Sequence, residues 1–504
     1  MKVLNCKIIN SIISLVITMF FACSSDNTPE EGPIDSVVYT LTTNTSSIDF
    51  EKEANSFNLT ITTNVDTWEI NTSGTSWISL NKASGTKGTT TVGITVTENT
   101  EVTERTATVT IKANNISDVK IIVTQAGTPS TSNIYPDYNT NPIAADATGM
   151  SSSAAEIAAK INLGWNLGNT LEASGGETAW GNPKATKALI DAVKANGFNA
   201  VRIPCSWNQY LANEATAEIK ADWLDRVKDV VQYCIDNDMH AILNIHWDGG
   251  WLENNITEVN KVTINAKQKA FWQQIATHLR DFDEHLLFAS ANEPEAEDTA
   301  AMSVLNYFHQ TFIDAVRATG GKNAYRTLVV QGPKTDIELT NNLMNTLPTD
   351  TATDRLMAEI HYYTPWQFAG LTEDASWGKM SYYWGADYHS TTDTERNATW
   401  GEESSVDTNF ALMKAQFVDK GIPVILGEFG AIRRMTLTGD DLTLHLNSRA
   451  YYLKYVVKQA KANGLLPFYW DEGSIGDKGF GIFDRSNNSV YDQQALDALL
   501  EGLN

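Results

Sequence analysis

Eight short apolar runs, each followed by a stretch with helical periodicity, fill residues 151–504 and limit the fold more than any other feature of the chain. They begin near Ile161, Ala200, Ala241, Leu286, Thr327, Leu356, Val424 and Leu466. Runs without a polar face read as strands buried on both sides, as in parallel sheets covered by helices. Between them, Trp223, Val227, Val230, Val231 and Cys234 recur at helical spacing over 221–238. A second helical pattern runs from His445 to Asn463 and stops at Gly464. Strand–helix alternation repeated eight times predicts an α/β fold of the (β/α)8 TIM-barrel type. An open doubly wound sheet is the alternative, but no Gly-x-Gly-x-x-Gly follows the first run.

Polar residues gather at the ends of these runs. In order they are Trp165 to Asn169, Arg202, Asn244 with His246, Asn292 with Glu293, His361 with Tyr363, Glu428, and Trp470 with Asp471. In a parallel barrel the carboxyl ends of the strands are where active sites are built. Leu286 to Pro294 shows the pattern most clearly, because Leu-Leu-Phe has no face for water and Pro294 ends the strand just after Glu293. Pro423 to Gly430 repeats it with Glu428, 135 residues further on. Two carboxylates on two strand ends, with Arg202 to separate their pKa values, suit paired acid–base chemistry. His246 with Asp248 lacks a third ligand, so neither a metal nor any other cofactor is expected.

The rest of the chain divides by composition. Lys2 and Lys7 flank a basic start, and Ile8 to Phe21 is mostly apolar but too short for a mature membrane anchor, so residues 1–22 read as a signal peptide. Phe20-Phe21-Ala22-Cys23 resembles a bacterial lipobox, which makes Cys23 the expected acylated first residue. The expected location is therefore the bacterial outer membrane, at the cell surface, with membrane contact through that lipid alone. Residues 23–36 are a polar tether. Residues 37–127 hold short threonine-rich runs of period two, such as Phe57-Leu59-Ile61 and Ala107-Val109-Ile111, which predict a small immunoglobulin-like β-sandwich. Residues 128–150, with Pro129, Pro136 and Pro142, read as a linker to the barrel of 151–504.

A net charge of −24 argues against nucleic acid and anionic lipid surfaces as partners, and a monomer is expected. One cysteine pair in so long a mature chain is no disulfide framework, so Cys205 and Cys234 read as buried free thiols. Twelve of the fourteen tryptophans follow residue 150. That part of the chain is therefore tightly cored or binds something flat.

Gly164-Trp-Asn-Leu-Gly-Asn-Thr170, Gly197 to Pro204, Asn244-Ile-His246, Asn292-Glu-Pro294, His361-Tyr-Tyr363, Gly427-Glu-Phe-Gly430 and Phe468-Tyr-Trp-Asp471 together resemble glycoside hydrolase family 5, in the family's order. The match is nearest its endo-glucanase and xyloglucanase branch. Residues 37–127 resemble a BACON module through Trp68, Trp77, Ser84-Gly85, the Glu104 to Val109 run and Val123-Thr124-Gln125. The barrel resemblance implies a retaining, endo-acting β-1,4-glucan hydrolase, with xyloglucan or another plant β-glucan as its polysaccharide partner. Mannanase or xylanase activity on the same fold is the alternative, and a non-catalytic glycan-binding lipoprotein a more distant one. It implies Glu293 as acid/base and Glu428 as nucleophile, with Arg202 holding Glu428 ionised, Asn292 on the sugar 2-hydroxyl and Tyr363 on the nucleophile. Asn169, His246, His361, Trp470, Trp251 and Trp366 would complete the substrate cleft. Trp247 where many relatives carry a second histidine, Thr364 after Tyr363, and Ala289 on the fourth strand depart from the common pattern and bear on substrate.

Overall fold

The computed structural model describes residues 38–72, 75–101, 103–127 and 134–504. The expected signal peptide, Cys23, the tether and residues 128–133 lie outside these ranges. The chain divides into two units, one ending at Pro129 and the other running from Ser130 to Asn504.

The first unit is all β. Its strands follow the order Ser47–Phe50, Val119–Gln125, Arg105–Ala113, Asn55–Thr72, Ser84–Val96 and Ile78–Leu80, with Leu41–Thr43 also on Asn55–Thr72. The long strand breaks register between Thr63 and Thr67; both halves pair with Ser84–Val96, but the first also takes Leu41–Thr43 and the second Arg105–Ala113. Such a break bends the sheet over on itself. Leu59, Ile61, Val92, Ile94, Val109, Ile111, Ile121 and Val123, all on inward rows, can then bury completely in one core. Trp68 belongs to that core at 1% exposure, its ring lying where a Cβ on Gly85 would sit 2.2 Å away. It packs the sandwich and offers no platform to a ligand. Trp77 is half-buried under the Arg105 guanidinium, 4.5 Å from its ring centre.

The second unit is a closed barrel of eight parallel strands in sequence order: Gly164–Leu167, Ala200–Ile203, His240–Asn244, Leu286–Ala289, Leu328–Gln331, Leu356–Tyr362, Val424–Phe429 and Leu465–Asp471. The last closes on the first, with Tyr469 beside Trp165. Each strand begins within three residues of its expected position. Both helical patterns are present, as Ala221–Ile235 and Gly439–Ala462, and the second ends before Gly464 at φ +75°.

Alternation sorts the strand residues. One alternate set, including Trp165, Val201, Leu243 and Phe288, faces the helices. Their neighbours Ala200, Ile242, Leu287, Val329, Met357, Ile425, Leu466 and Phe468 fill the barrel, and Ile157 and Ile161 plug its lower end. Ala289 belongs to this inner layer. One row above it the inward residues turn polar: Asn166, Arg202, Asn244, Gln331 and Glu359, all fully buried. Cys205 and Cys234 are buried and unpaired.

Residues 134–150, expected as linker, are instead fastened to the barrel. Tyr138 donates two hydrogen bonds: its N–H to Gln273 Oε1 at 3.0 Å and its hydroxyl to the Thr216 carbonyl at 2.9 Å. Ile143–Ala145 pairs with Gly320–Gly321, where a Cβ on Gly320 would lie 1.8 Å from the Ile143 carbonyl oxygen. Two tyrosines, Tyr135 and Tyr138, give the segment an apolar face that a free linker would have no use for. A chain starting at residue 134 should therefore melt with the intact barrel unit, and one starting at 150 roughly 5 °C lower. Calorimetry on the two would show equal melting temperatures if these contacts contribute nothing.

Candidate active site

Arg202, completely buried on the second strand, is the hub of the barrel mouth. Its Nη1 donates to Glu428 Oε1 at 2.8 Å and to Asn166 Oδ1 at 3.0 Å, and its Nη2 to Asn292 Oδ1 at 2.7 Å. Its Nε lies 2.8 Å from Glu359 Oε1 as an ion pair. Glu428 receives a second donor, the Tyr363 hydroxyl, at 3.0 Å. Burial and the neighbouring carboxylates hold that phenol well above its usual pKa, so it stays a donor.

Glu428 reaches this position through a local irregularity. Simple alternation after Ile425 would point Glu428 out towards the helices. Between the pairs Ile360–Leu426 and His361–Glu428, the seventh strand advances two residues while the sixth advances one. The extra residue, Gly427, makes a bulge that turns Glu428 inward. It must be glycine, because a Cβ there would lie 2.1 Å from Glu359 Oε1.

His361 ties the two expected catalytic carboxylates together. Its Nδ1 lies 2.7 Å from Glu293 Oε1 and 3.7 Å from Glu428 Oε2, and its Nε2 lies 3.3 Å from Glu359 Oε1. Burial disfavours charge on the ring, but Glu428, Glu293 and Glu359 together outweigh it and push its pKa up to about 9. For Glu293 burial acts upwards, and the His361 contact more than reverses it, leaving that carboxyl below its ordinary range. Glu428 is raised by its burial, against His361 and Arg202. The Glu293 side chain is 44% exposed at the cleft, whereas that of Glu428 is 8% exposed at its floor.

Two buried acids of this site have no counterpart among the residues expected from sequence. Glu359 sits inward between Met357 and His361, and also accepts from Gln331 Nε2 at 2.6 Å. Its signal was present, since Met357, Glu359 and His361 are spaced by two on one strand face. Glu253 lies in the loop after the third strand and carried no such signal. Its Oε1 accepts the Glu293 N–H at 2.8 Å and its carbonyl the Glu295 N–H at 3.0 Å, so it grips the backbone on both sides of Pro294.

The other expected residues divide into those at the cleft and those beneath it. His246 lies parallel to Trp470 with ring centres 6.0 Å apart. Burial, then Arg202 and His361, hold His246 well below its usual pKa, so its ring is neutral. Asn169 occupies the left-handed region at φ +53° beside Gly168, against which the Trp470 ring packs. Trp366, 45% exposed, stands edge-on to Tyr363 at 6.0 Å. Trp251 corrects an expectation. It is only 9% exposed, packs edge-on against Phe271 under Lys267, and commits its Nε1–H to Asp248 Oδ2 at 2.9 Å. It braces the loop that carries Glu253. Trp384 is likewise buried, while Trp247, Trp377 and Trp400 are exposed. Asp471 turns away from the cleft to Arg485 and the Trp165 Nε1–H.

Among the described residues, Glu293, His361 and Glu428 are the set whose ligand atoms, within 4.8 Å of one another, could surround a metal ion. A cation there would meet the charged imidazole and Arg202. The same closeness of two carboxylates, one anchored by a guanidinium and one open to the cleft, is the arrangement of a barrel glycosidase. Comparison with known proteins agrees. Residues 166–475 match the model for cellulase (glycosyl hydrolase family 5), and residues 66–126 match the BACON model, described as a putative N-terminal binding domain. The chain belongs to glycosyl hydrolase family 5 and is a glycoside hydrolase. It is 37% identical over 456 residues to a xyloglucan-specific endo-β-1,4-glucanase of Bacteroides ovatus, covering 87% of this chain and 86% of the relative. It is also 37% identical to endoglucanase A of Paenibacillus barcinonensis, covering 73% and 94%. A solved Bacteroides ovatus family 5 xyloglucanase in complex with a XXXG heptasaccharide superposes with a TM-score of 0.68 at 34% identity, over 92% of this chain and all of that one.

Burial raises Glu253 from the ordinary 4.5 to about 7. The folded state thus holds its proton more tightly than the unfolded chain does. That contribution to stability is full below pH 4.5 and is lost as pH rises through 7. Glu253→Gln retains an acceptor for the Glu293 N–H and has no proton to lose. Its stability relative to wild type should therefore climb between pH 4.5 and 7, by on the order of 2–3 kcal/mol, then level off. Denaturant titrations across that range would contradict this with a constant difference.

Proposed function

We propose that this enzyme is a retaining endo-β-1,4-glucanase acting on xyloglucan, with Glu428 as nucleophile and Glu293 as acid/base. The observation that carries the reading is that carboxylate oxygens of the two residues lie within 4.8 Å. Retaining glycosidases hold their carboxyls about 5–5.5 Å apart, and inverting ones roughly 6.5–9.5 Å apart to admit a water. Surroundings distinguish the two roles. Glu428 is shielded and takes hydrogen bonds from Arg202 and Tyr363, both of which favour its anion. Glu293 is open at the cleft, where a departing sugar and then a water can reach it.

In the first step Glu428 attacks C1 while the leaving oxygen takes a proton from Glu293. The electron pair of the broken C1–O bond stays with that oxygen. Water then attacks the glycosyl ester, giving its proton to Glu293 and returning Glu428 as carboxylate, with net retention. Arg202 spans both states without moving, because Asn166, Asn292 and Glu359 hold it in place.

The substrate assignment draws on the relatives and on the loops. Exposed Trp247, Trp366 and Trp377 follow the third and sixth strands, and indoles stack on flat glucosyl faces for on the order of 1 kcal/mol each. Glu428→Gly should lower kcat by roughly 10⁴-fold or more, and azide should rescue it with an anomerically inverted glycosyl azide. An inverted azide from the Glu293 variant, and none from Glu428, would exchange the roles. At matched concentration, initial rates should be higher on xyloglucan than on carboxymethylcellulose or glucomannan. Glucomannan cleaved faster than both xyloglucan and mixed-linkage glucan would overturn the substrate and leave the mechanism in place.

A further inference from the structure

We propose that the proton delivered by Glu293 is kept on His361 between turnovers, and that buried Glu359 holds the charged ring, so that Glu359, His361 and Glu293 form a relay. The inference rests on the roles of Glu293 and Glu428 proposed above.

With Glu293 and Glu359 both ionised, the geometry calls for a doubly protonated ring. Nδ1 faces Glu293 Oε1 at 2.7 Å and Nε2 faces Glu359 Oε1 at 3.3 Å, both oxygens being carboxylate acceptors. A neutral imidazole has one N–H and could satisfy only one of them. Every charged group facing the ring can be counted. Glu293, Glu359 and Glu428 favour its charge. Arg202, whose Nη2 lies 3.5 Å from Nε2, opposes it but is itself paired with Glu359 and Glu428. His246 is neutral. The ring's pKa of about 9 is the outcome of that balance.

Glu359 is an acid that serves two cations, the Arg202 guanidinium and the His361 ring. A fully buried carboxylate is costly unless its partners are charged or donate to it. Its partners are Arg202, His361 and Gln331, and the bulge glycine leaves room for it. A residue serving only to fill that space could be apolar, like Met357 one step below it.

Substrate covers Glu293 and excludes water, which favours the neutral pair of imidazole and carboxylic acid over the ion pair. The Nδ1 proton passes to the Glu293 carboxylate. Glu293 then protonates the glycosidic oxygen as its bond to C1 breaks and Glu428 bonds to C1. Esterification removes the Glu428 charge, the largest single influence holding the proton on the ring. In the second step water gives its proton to Glu293. The restored Glu428 anion draws that proton back to His361.

The test is the pH dependence of kcat/KM for wild type, His361→Asn and Glu359→Gln. In the wild type the alkaline limb should follow the ring, near pH 9. In His361→Asn the proton has only a carboxyl to rest on, so the limb should fall by about two pH units, a loss of about 100-fold at pH 9 beyond any uniform decrease, and in Glu359→Gln, whose ring has lost one of its three carboxylates, it should fall in the same direction by less. A purely structural role would lower activity at every pH and leave the limb in place, which would overturn the proposal. Nitrogen-15 NMR of the wild-type ring needs no variant. His361 should be imidazolium at pH 7 in the free enzyme and neutral once a 2-fluoro glycoside has trapped Glu428. A neutral ring in the free enzyme, or a charged one in the trapped enzyme, would sink the relay. Failure of the Glu428→Gly azide rescue would instead undo the role assignment, whatever the state of the ring.

Discussion

Arg202 lies wholly out of water and divides its guanidinium among Glu428, Glu359, Asn292 and Asn166. An unpaired cation there would cost several kcal/mol, and removing one carboxylate partner would leave much of that cost uncompensated. Both charged partners are also buried, so neither tolerates loss of the arginine. These four partners come from the first, fourth, sixth and seventh strands or their ends. One side chain thus ties half the barrel mouth into a fixed geometry, and the catalytic carboxylates take their positions from it. Rigid strand ends serve such a cluster better than loops, because errors of even 1 Å matter in a charged site.

On the seventh barrel strand the backbone departs from regularity where the chemistry requires it. Regular alternation delivers Asn166, Arg202, Asn244, Glu359 and His361 to the barrel interior. It would send Glu428 the wrong way. The Gly427 bulge corrects this, and its missing Cβ makes space for the Glu359 carboxylate. Glu359 and Gly427 therefore depend on each other. A side chain at position 427 would displace the acid that braces both Arg202 and His361.

The same physics explains what could be read beforehand. Strand positions were legible because burial on both faces leaves continuous apolar runs, and Glu293 and Glu428 because each interrupts such a run at its end. Glu359 hid inside a run: Ala358-Glu359-Ile360 looks like a strand with one stray acid until Arg202 and His361 are known to face it. Glu253 could not be found, since its role depends on a loop folding back onto the Glu293 backbone. Loop tryptophans were equally opaque. Trp251 and Trp366 both follow strand ends, yet one is buried against Phe271 and the other stands open beside Tyr363. Linker composition misled at residues 134–150, where prolines outweighed the two tyrosines that dock the segment.

Many hydrolases obtain a competent acid by burying it, because desolvation raises a carboxyl until it holds its proton near neutral pH. Glu293 is not placed for that solution. Nearly half of its side chain is open, as access by a polysaccharide leaving group and then by water demands, and the imidazole beside it favours its anion. Access and proton affinity conflict at this position. A separate base a hydrogen bond away relieves the conflict, for the buried ring can hold the proton while the exposed carboxyl transfers it. Covalent attachment of the sugar to Glu428 then reverses the ring's preference, so one event both consumes the nucleophile's charge and frees the proton. The bulge, the buried acid and the hub arginine all serve to keep three carboxylates around one imidazole.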